Sequence, residues 1–388
     1  MADQLMKPSR AFQTHCVHTG EIKDTLYHGV VSPIYLSTAY AFDDVETKRY
    51  PRYYNTPNQE GLNLKLAALE GGEKALVFGS GMAAVSSALI GLLQQGDHVV
   101  FQNDIYGGTR NFIKTEFPKQ GITFDFTEGL QAADFEKLIG PTTKGLYIET
   151  PSNPLLKLVD LEAISKLATA RGLWTMIDNT FASPVNQNPI AWGIDIVLHS
   201  ATKYLGGHSD ITAGAVIGSA SLLDRIYQSA INYGGSLSDM TVWLLERSIK
   251  TLSLRVQAQN QNALSLAHFL DAKPEIQTVY YPGLSSHPDH DLATRQMKGF
   301  GGMLSFELGP GVSVNTFLRA LQLIKPAMSL AGVESTVLQP RLASHALLTE
   351  EERLQQGITP GLIRFSCGIE AKEDLCYDLE QALNKAVQ

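Results

Sequence analysis

Ala75-Leu-Val-Phe78-Gly79-Ser80-Gly81-Met82-Ala83-Ala84-Val-Ser-Ser-Ala-Leu-Ile-Gly-Leu-Leu93 sets a short apolar run against a glycine-rich turn and then an apolar helical stretch. A strand over 75–78, a tight turn and a helix over 82–93 begin an alternation of strand and helix patterns. Just upstream, the helical spacing of Leu62, Leu66 and Leu69 stops at Gly71-Gly72, a C-terminal signal. Downstream the alternation continues: a strand over 98–102, a helix near 109–117, a strand over 145–149 and a helix over 161–170. Strands over 174–177, 194–198 and 215–218 follow. This order predicts a mostly parallel sheet covered by helices on both faces. Beyond a long helical region, 241–270, the pattern changes to a strand at 302–308, a helix at 314–321, a strand at 363–366 and a closing helix at 373–386. Residues 1–60 lack a long helical period and carry Pro33, Pro51 and Pro57. The expected organisation is an arm over 1–60, a large α/β domain over 61–255 and a smaller C-terminal α+β domain over 256–388.

With 388 residues the chain exceeds one ordinary core, and 44% hydrophobic with 18% charged residues is usual for a globular enzyme. The formal charge of −8 is spread without a basic stripe, which argues against a nucleic-acid partner. Met1-Ala-Asp-Gln-Leu-Met-Lys-Pro8 has no basic segment followed by an apolar one, and no apolar run approaches the roughly 18 residues of a membrane span. Cys16, Cys367 and Cys376 are too few and scattered for a disulfide framework or a zinc site, so reduced thiols in a cytoplasmic protein are expected. His287 and His290 read as part of a solvated turn, and no metal is expected.

Ligands of an open α/β sheet sit beyond the carboxyl ends of its strands. Four such ends carry chemistry. At Phe78-Gly79-Ser80-Gly81-Met82, glycines and a helix N-terminus suit a phosphate. The string also satisfies G-x-G-x-x-A, the dinucleotide fingerprint, so a nicotinamide oxidoreductase is a competing reading, with Asp104 near the expected acidic position. That reading leaves two further residues unexplained. Asp178 closes an apolar strand, where a carboxylate can keep a pyridine nitrogen protonated and electron-withdrawing. Lys203, in His199-Ser-Ala-Thr-Lys203-Tyr-Leu-Gly-Gly-His208, follows a buried-looking strand, and desolvation would favour its nucleophilic free amine. Ser200 and Thr202 flank it with hydroxyls. Tyr106, before Gly107-Gly108, can lie flat on a planar ring. Ser200-Ala-Thr-Lys203 also fits S-x-x-K of acyl-transfer serine enzymes, but Ser238-Asp239-Met240 and Lys250-Thr251-Leu252 do not complete that set. Phosphate loop, tyrosine, aspartate and lysine together fit pyridoxal 5'-phosphate, held at Lys203 as a Schiff base.

The sequence resembles the trans-sulfuration family of pyridoxal-phosphate enzymes, which comprises cystathionine γ-synthases, cystathionine γ- and β-lyases, methionine γ-lyases and homoserine-ester sulfhydrylases. The resemblance runs from Gly29-Val-Val-Ser-Pro-Ile34 to Glu373-Asp374-Leu375. It is strongest at Glu149-Thr-Pro-Ser-Asn-Pro154, Asp178-Asn-Thr-Phe-Ala-Ser-Pro184, Ser200-Ala-Thr-Lys-Tyr204, Tyr281-Pro-Gly-Leu-Ser-Ser-His-Pro288 and Ser329-Leu-Ala-Gly-Val-Glu-Ser335. It implies the family's fold type I architecture, with Lys203 as catalytic base and Tyr106 beside it. It also implies Asp178 on the pyridine nitrogen and Gly81, Met82, Ser200 and Thr202 on the phosphate. Tyr50 and Arg52, in Tyr50-Pro-Arg52-Tyr-Tyr-Asn55, would complete the phosphate site of a neighbouring subunit in a homotetramer built from dimers. Arg364, with Asn153 and Ser329, would clamp the substrate carboxylate, and Glu334 would reach the distal substrate.

Several positions depart from the family. Arg49 replaces the acidic residue that γ-synthases place before the arm tyrosine, and Asn55-Thr-Pro-Asn58 is one residue longer than usual. Asn111 stands where an arginine is common, with Arg110 one place earlier. Gly108 stands where methionine γ-lyases have cysteine, which counts against that activity. The resemblance implies a carbon–sulfur lyase acting on cystathionine or a related thioether, with γ-replacement on O-acetyl- or O-succinylhomoserine as the alternative.

Overall fold

The computed structural model describes residues 10–343 and 349–387. Twelve strands are described: β1 (Lys74–Phe78), β2 (His98–Phe101), β3 (Thr123–Phe126), β4 (Thr143–Glu149), β5 (Trp174–Asp178), β6 (Ile196–His199), β7 (Gly214–Gly218), β8 (Ile276–Tyr280), β9 (Met303–Leu308), β10 (Lys325–Pro326), β11 (Thr336–Leu338) and β12 (Leu362–Ser366). The first seven form one sheet in the order β1-β7-β6-β5-β4-β2-β3, and the last five a second sheet in the order β10-β11-β12-β9-β8.

Side-chain alternation along the strands of the large sheet divides the core in two. Val77, Leu146, Ile148, Ile177, Val197 and Ile217 face one layer, with Leu62, Leu66, Ile164 and Leu245 on the covering helices. Phe78, Tyr147, Met176, Ile196, Leu198 and Val216 face the other, against Val85, Leu89, Leu223 and Ile226. A period of two on a sheet covered on both sides makes every residue apolar, which is why these strands read as unbroken runs. The second sheet and its helices close a separate core around Leu266, Leu270, Phe306, Phe365 and Leu379. The boundary expected at 255 and 256 falls inside the helix Leu252–Asp271, so the two parts are joined by continuous helix.

The large sheet is mostly parallel, as the alternation predicts, but β7 runs antiparallel to both β1 and β6. The run Gly214–Gly218 is buried throughout and carries no mark of its direction. The long helical region is two helices, Asp239–Ile249 and Leu252–Asp271, that meet at Lys250-Thr251. The arm contains a short helix, Phe12–His18. Among the described residues no helix is long and apolar enough to cross a membrane.

Candidate active site

Parallel strands bring their carboxyl ends to one edge of the sheet, and there β4, β5 and β6 border a cavity of about 430 Å³. Its lining includes Gly81, Met82, Tyr106, Asn153, Asp178, Ser200, Thr202, Lys203, Ser329 and Arg364, ten residues singled out by the sequence.

One end of the cavity is the start of the helix Gly81–Leu92. Ser80 caps it, its hydroxyl accepting from the Ala83 N–H at 3.1 Å. The N–H groups of Gly81 and Met82 lie in the first turn, where a helix offers no acceptor four residues back, and the helix dipole adds positive character. Ser200 faces them closely: a Cβ on Gly81 would meet the Ser200 Cβ at 2.9 Å. The Ser200 N–H donates to Thr180 Oγ1 at 2.8 Å, fixing this side of the opening. The Thr202 hydroxyl donates to the Ala213 carbonyl at 3.2 Å and accepts from the Ala213 N–H at 3.0 Å.

The floor carries two carboxylates. The β4–β5 register puts Glu149 beside Asp178. Asp178 Oδ1 accepts from the Thr180 N–H at 3.0 Å, and Glu149 Oε2 accepts from the Tyr106 N–H at 2.7 Å. Burial raises the Asp178 carboxyl above the usual range, and burial followed by the Asp178 charge pushes Glu149 well above it. Tyr106 itself is 45% exposed at the cavity mouth. Its ring lies over Gly108, where a Cβ would come within 2.5 Å of Tyr106 Cε1.

On the remaining side Lys203 Nζ donates to Ser329 Oγ at 2.8 Å. Burial, then the nearby Arg364 charge, lowers the Lys203 amine from its ordinary value to about 8. Arg364 is held in β12 opposite Leu338 of β11 and is itself brought down to about 10 by burial. Its guanidinium donates to Asn153 Oδ1 at 3.2 Å and to the Ser329 carbonyl at 2.9 Å. Ser329 has φ of 79°, a left-handed conformation that a serine rarely takes, and its hydroxyl and carbonyl thereby serve Lys203 and Arg364 at once.

Three predicted residues lie elsewhere in the single chain. Tyr50 and Arg52 sit on the arm, Arg52 donating to the Ile231 carbonyl and stacking near the rings of Tyr50 and Tyr53. Glu334 is exposed and outside the cavity lining. Arg110 does not turn into the cavity: it donates to the Asn103 carbonyl at 2.8 Å and lies 4.0 Å over the Phe126 ring. Asn111 is exposed on the same helix. Arg49 pairs with Glu60 at 2.7 Å. Sequence reasoning missed Glu149 as a site residue, although it ends an apolar strand as Asp178 does. It also missed the apolar wall of Met328, Leu330 and Leu338, which no local pattern marks.

Fold and cavity place a lysine with a lowered pKa between an open helix start and a buried arginine at the strand ends of an α/β sheet. The sequence model of the Cys/Met metabolism PLP-dependent enzymes matches residues 13–384. Cystathionine gamma-lyase of Bacillus subtilis (strain 168) is 43% identical over 96% of this chain and 98% of its own. Cystathionine beta-lyase of Lactococcus lactis subsp. cremoris (strain MG1363) is 42% identical over 97% and 99%. The crystal structure of cystathionine gamma synthase from Xanthomonas oryzae pv. oryzae, in complex with aminoacrylate and cysteine, superposes with a TM-score of 0.93 at 38% identity, covering 97% of this chain and 98% of that one. The chain belongs to the pyridoxal-phosphate-dependent enzymes of cysteine and methionine metabolism. It is a trans-sulfuration lyase or synthase acting on an amino-acid substrate.

The cavity suits that cofactor on its own terms. Two buried carboxylates whose ionisation burial opposes call for a cation, which a protonated pyridine ring supplies. The open helix start suits the phosphate, and Lys203 offers an amine with little cost of deprotonation.

Proposed function

We propose that the enzyme eliminates a thiol from cystathionine or a related thioether amino acid, releasing thiol, a keto acid and ammonia. Lys203 is the base that takes the proton from Cα and returns it toward the departing sulfur, with Tyr106 assisting. When the cofactor is bound, Asp178 would hold the ring nitrogen, Tyr106 would lie against the ring, and Gly81, Met82, Ser200 and Thr202 would hold the phosphate. When bound, pyridoxal phosphate supplies an electron sink for negative charge at the substrate Cα. Arg364 grips the α-carboxylate with Asn153 and Ser329, and Glu334, outside the cavity lining of the single chain, is a further substrate-binding residue. Residues 61–255 form the cofactor domain, 256–388 bring the clamp, and the arm over 1–60 carries Tyr50 and Arg52 to a neighbouring subunit of a homotetramer.

The observation that carries this reading is the double use of Ser329. Its hydroxyl accepts from Lys203 and its carbonyl from Arg364, so a substrate gripped by its carboxylate has Cα within reach of the base.

Reduction of the holoenzyme with borohydride should abolish the visible band and leave the cofactor attached at Lys203; a label elsewhere refutes the assignment. Assays with cystathionine, O-acetylhomoserine and O-succinylhomoserine, each with and without cysteine, test the reaction. The expected result is keto acid from cystathionine alone, pyruvate marking β-cleavage and 2-oxobutyrate γ-cleavage. Faster cystathionine formation from an ester plus cysteine would establish replacement instead.

A further inference from the structure

Behind the cavity floor a carboxylate and an imidazole are sealed from solvent and have no part in the chemistry above. Glu70 ends the helix Pro57–Glu70, and His199 ends β6. Their side chains are 1% and 2% exposed, with His199 Nε2 2.6 Å from Glu70 Oε1. The same oxygen accepts from Asn179 Nδ2 at 2.9 Å, while Glu70 Oε2 has no hydrogen-bond partner among the described residues.

Local stability is a poor reason for this arrangement. A carboxylate at a helix C-terminus faces the negative end of the dipole. A buried ion pair generally does no better than well-packed apolar side chains of the same volume. Its connections offer a better reason. Asn179 directly follows Asp178, and His199 directly precedes Ser200. Asn179 is immobilised further: its N–H donates to the Leu198 carbonyl at 3.0 Å, and its Oδ1 accepts from Gln187 Nε2 at 3.0 Å. One atom, Glu70 Oε1, therefore ties together the two strand ends that present the ring anion and a phosphate ligand.

We propose that Glu70 and His199 are positioning residues, a buried pair that clamps the ends of β5 and β6 and so sets Asp178 and Ser200 for the ring nitrogen and the phosphate. The proposal rests on the roles given above to Asp178 and Ser200.

The test compares wild type, Glu70→Gln, His199→Gln, the double variant and Asp178→Asn, each as holoenzyme and apoprotein. Glu70→Gln keeps an acceptor for Asn179 while replacing the unpartnered carboxylate oxygen with an amide NH2. The singles are expected to fold, by circular dichroism of the apoproteins, and to release pyridoxal phosphate on dialysis about tenfold more readily. That is the low end of the range by which outer hydrogen-bond partners affect affinity or activity at metal sites. Their visible absorption bands should shift, and the double variant should be no worse than the weaker single, since the pair acts as one unit. Wild-type retention and spectrum in both singles overturn the proposal, whether or not the apoproteins are less stable, because lost stability alone is a structural role. If Asp178→Asn leaves spectrum and retention unchanged, the role of Asp178 falls first. If Asp178→Asn changes them while the two singles do not, only the clamp falls. Should Glu70→Gln not fold, His199→Gln decides by the same readouts.

Discussion

Lys203 has a lowered pKa because it is buried and because Arg364 stands near it, in that order of weight. An ordinary lysine stays an ammonium until the pH passes about 10. One with a value of about 8 is roughly a quarter free amine at pH 7.5. Capture of pyridoxal phosphate by the apoprotein, followed by stopped-flow absorbance, should therefore speed up with a midpoint near pH 8, and a midpoint near 10 would contradict the burial argument. Glu149 gives the opposite sign for stability. Its folded-state value is raised, so its contribution is full below the ordinary carboxylate range and is lost as pH rises through the folded value. In denaturant titrations of the apoprotein between pH 4 and 8, Glu149→Gln should gain stability relative to wild type as pH rises, while still accepting from the Tyr106 N–H. An equal slope in the variant would show that Glu149 is not the strained group. Lys203, Asp178 and Tyr106 were legible in the sequence because Asp178 ends an apolar strand and the other two follow one within five residues. Arg364, Ser329 and Asn153 were legible only through family resemblance, since they meet Lys203 from distant parts of the chain. The Glu70–His199 contact joins residues 129 positions apart, and no local pattern marks it.

At the level of elements, the start of the helix Gly81–Leu92 depends on the absence of a side chain. Gly81→Ala would drive a Cβ to 2.9 Å from the Ser200 Cβ and 3.0 Å from its Cα, and backbone cannot yield as a side-chain tip can. Overpacking of this kind costs about 1–3 kcal/mol. The expected outcome is weaker cofactor retention on dialysis together with a lower apoprotein unfolding midpoint; unchanged retention would remove this helix start from the phosphate site. The elements themselves were readable in proportion to their burial. β1, β4, β5 and β6 are apolar runs bounded by turn residues, and each lies within a few residues of its expected place. β3 escaped because Thr123 and Asp125 are exposed and Phe124 and Phe126 half-buried, the weak alternation of an edge strand. β8 escaped for the same reason, with Gln277 and Thr278 exposed. Strand direction is not encoded in an apolar run at all, and the antiparallel course of β7 comes from the connections around it.

For the whole molecule, the arm is the part that a single chain leaves unexplained. Leu26, Tyr27, Val30, Leu36 and Phe42 are 65–92% exposed, an apolar surface larger than isolated side chains would need. Arg52 holds its guanidinium 5.1 Å from the Tyr53 ring and 5.8 Å from the Tyr50 ring, outside the cavity of its own chain. If the arm completes a neighbour's phosphate site, a subunit lacking Lys203 can still lend its arm, and a subunit lacking Arg52 can still lend its lysine. Lys203→Ala and Arg52→Ala are each expected to be nearly inactive as pure assemblies. Mixed under reversible dissociation in equal amounts, half of the dimers contain one of each, and each such dimer has one site with both wild-type residues. Recovery should approach about a quarter of wild-type activity, as the two-fold symmetry requires, and it should disappear when both substitutions are placed in the same chain and mixed with neither parent. No recovery between two well-folded, exchanging variants would mean that each site is built from one chain, and Tyr50 and Arg52 would then need another role.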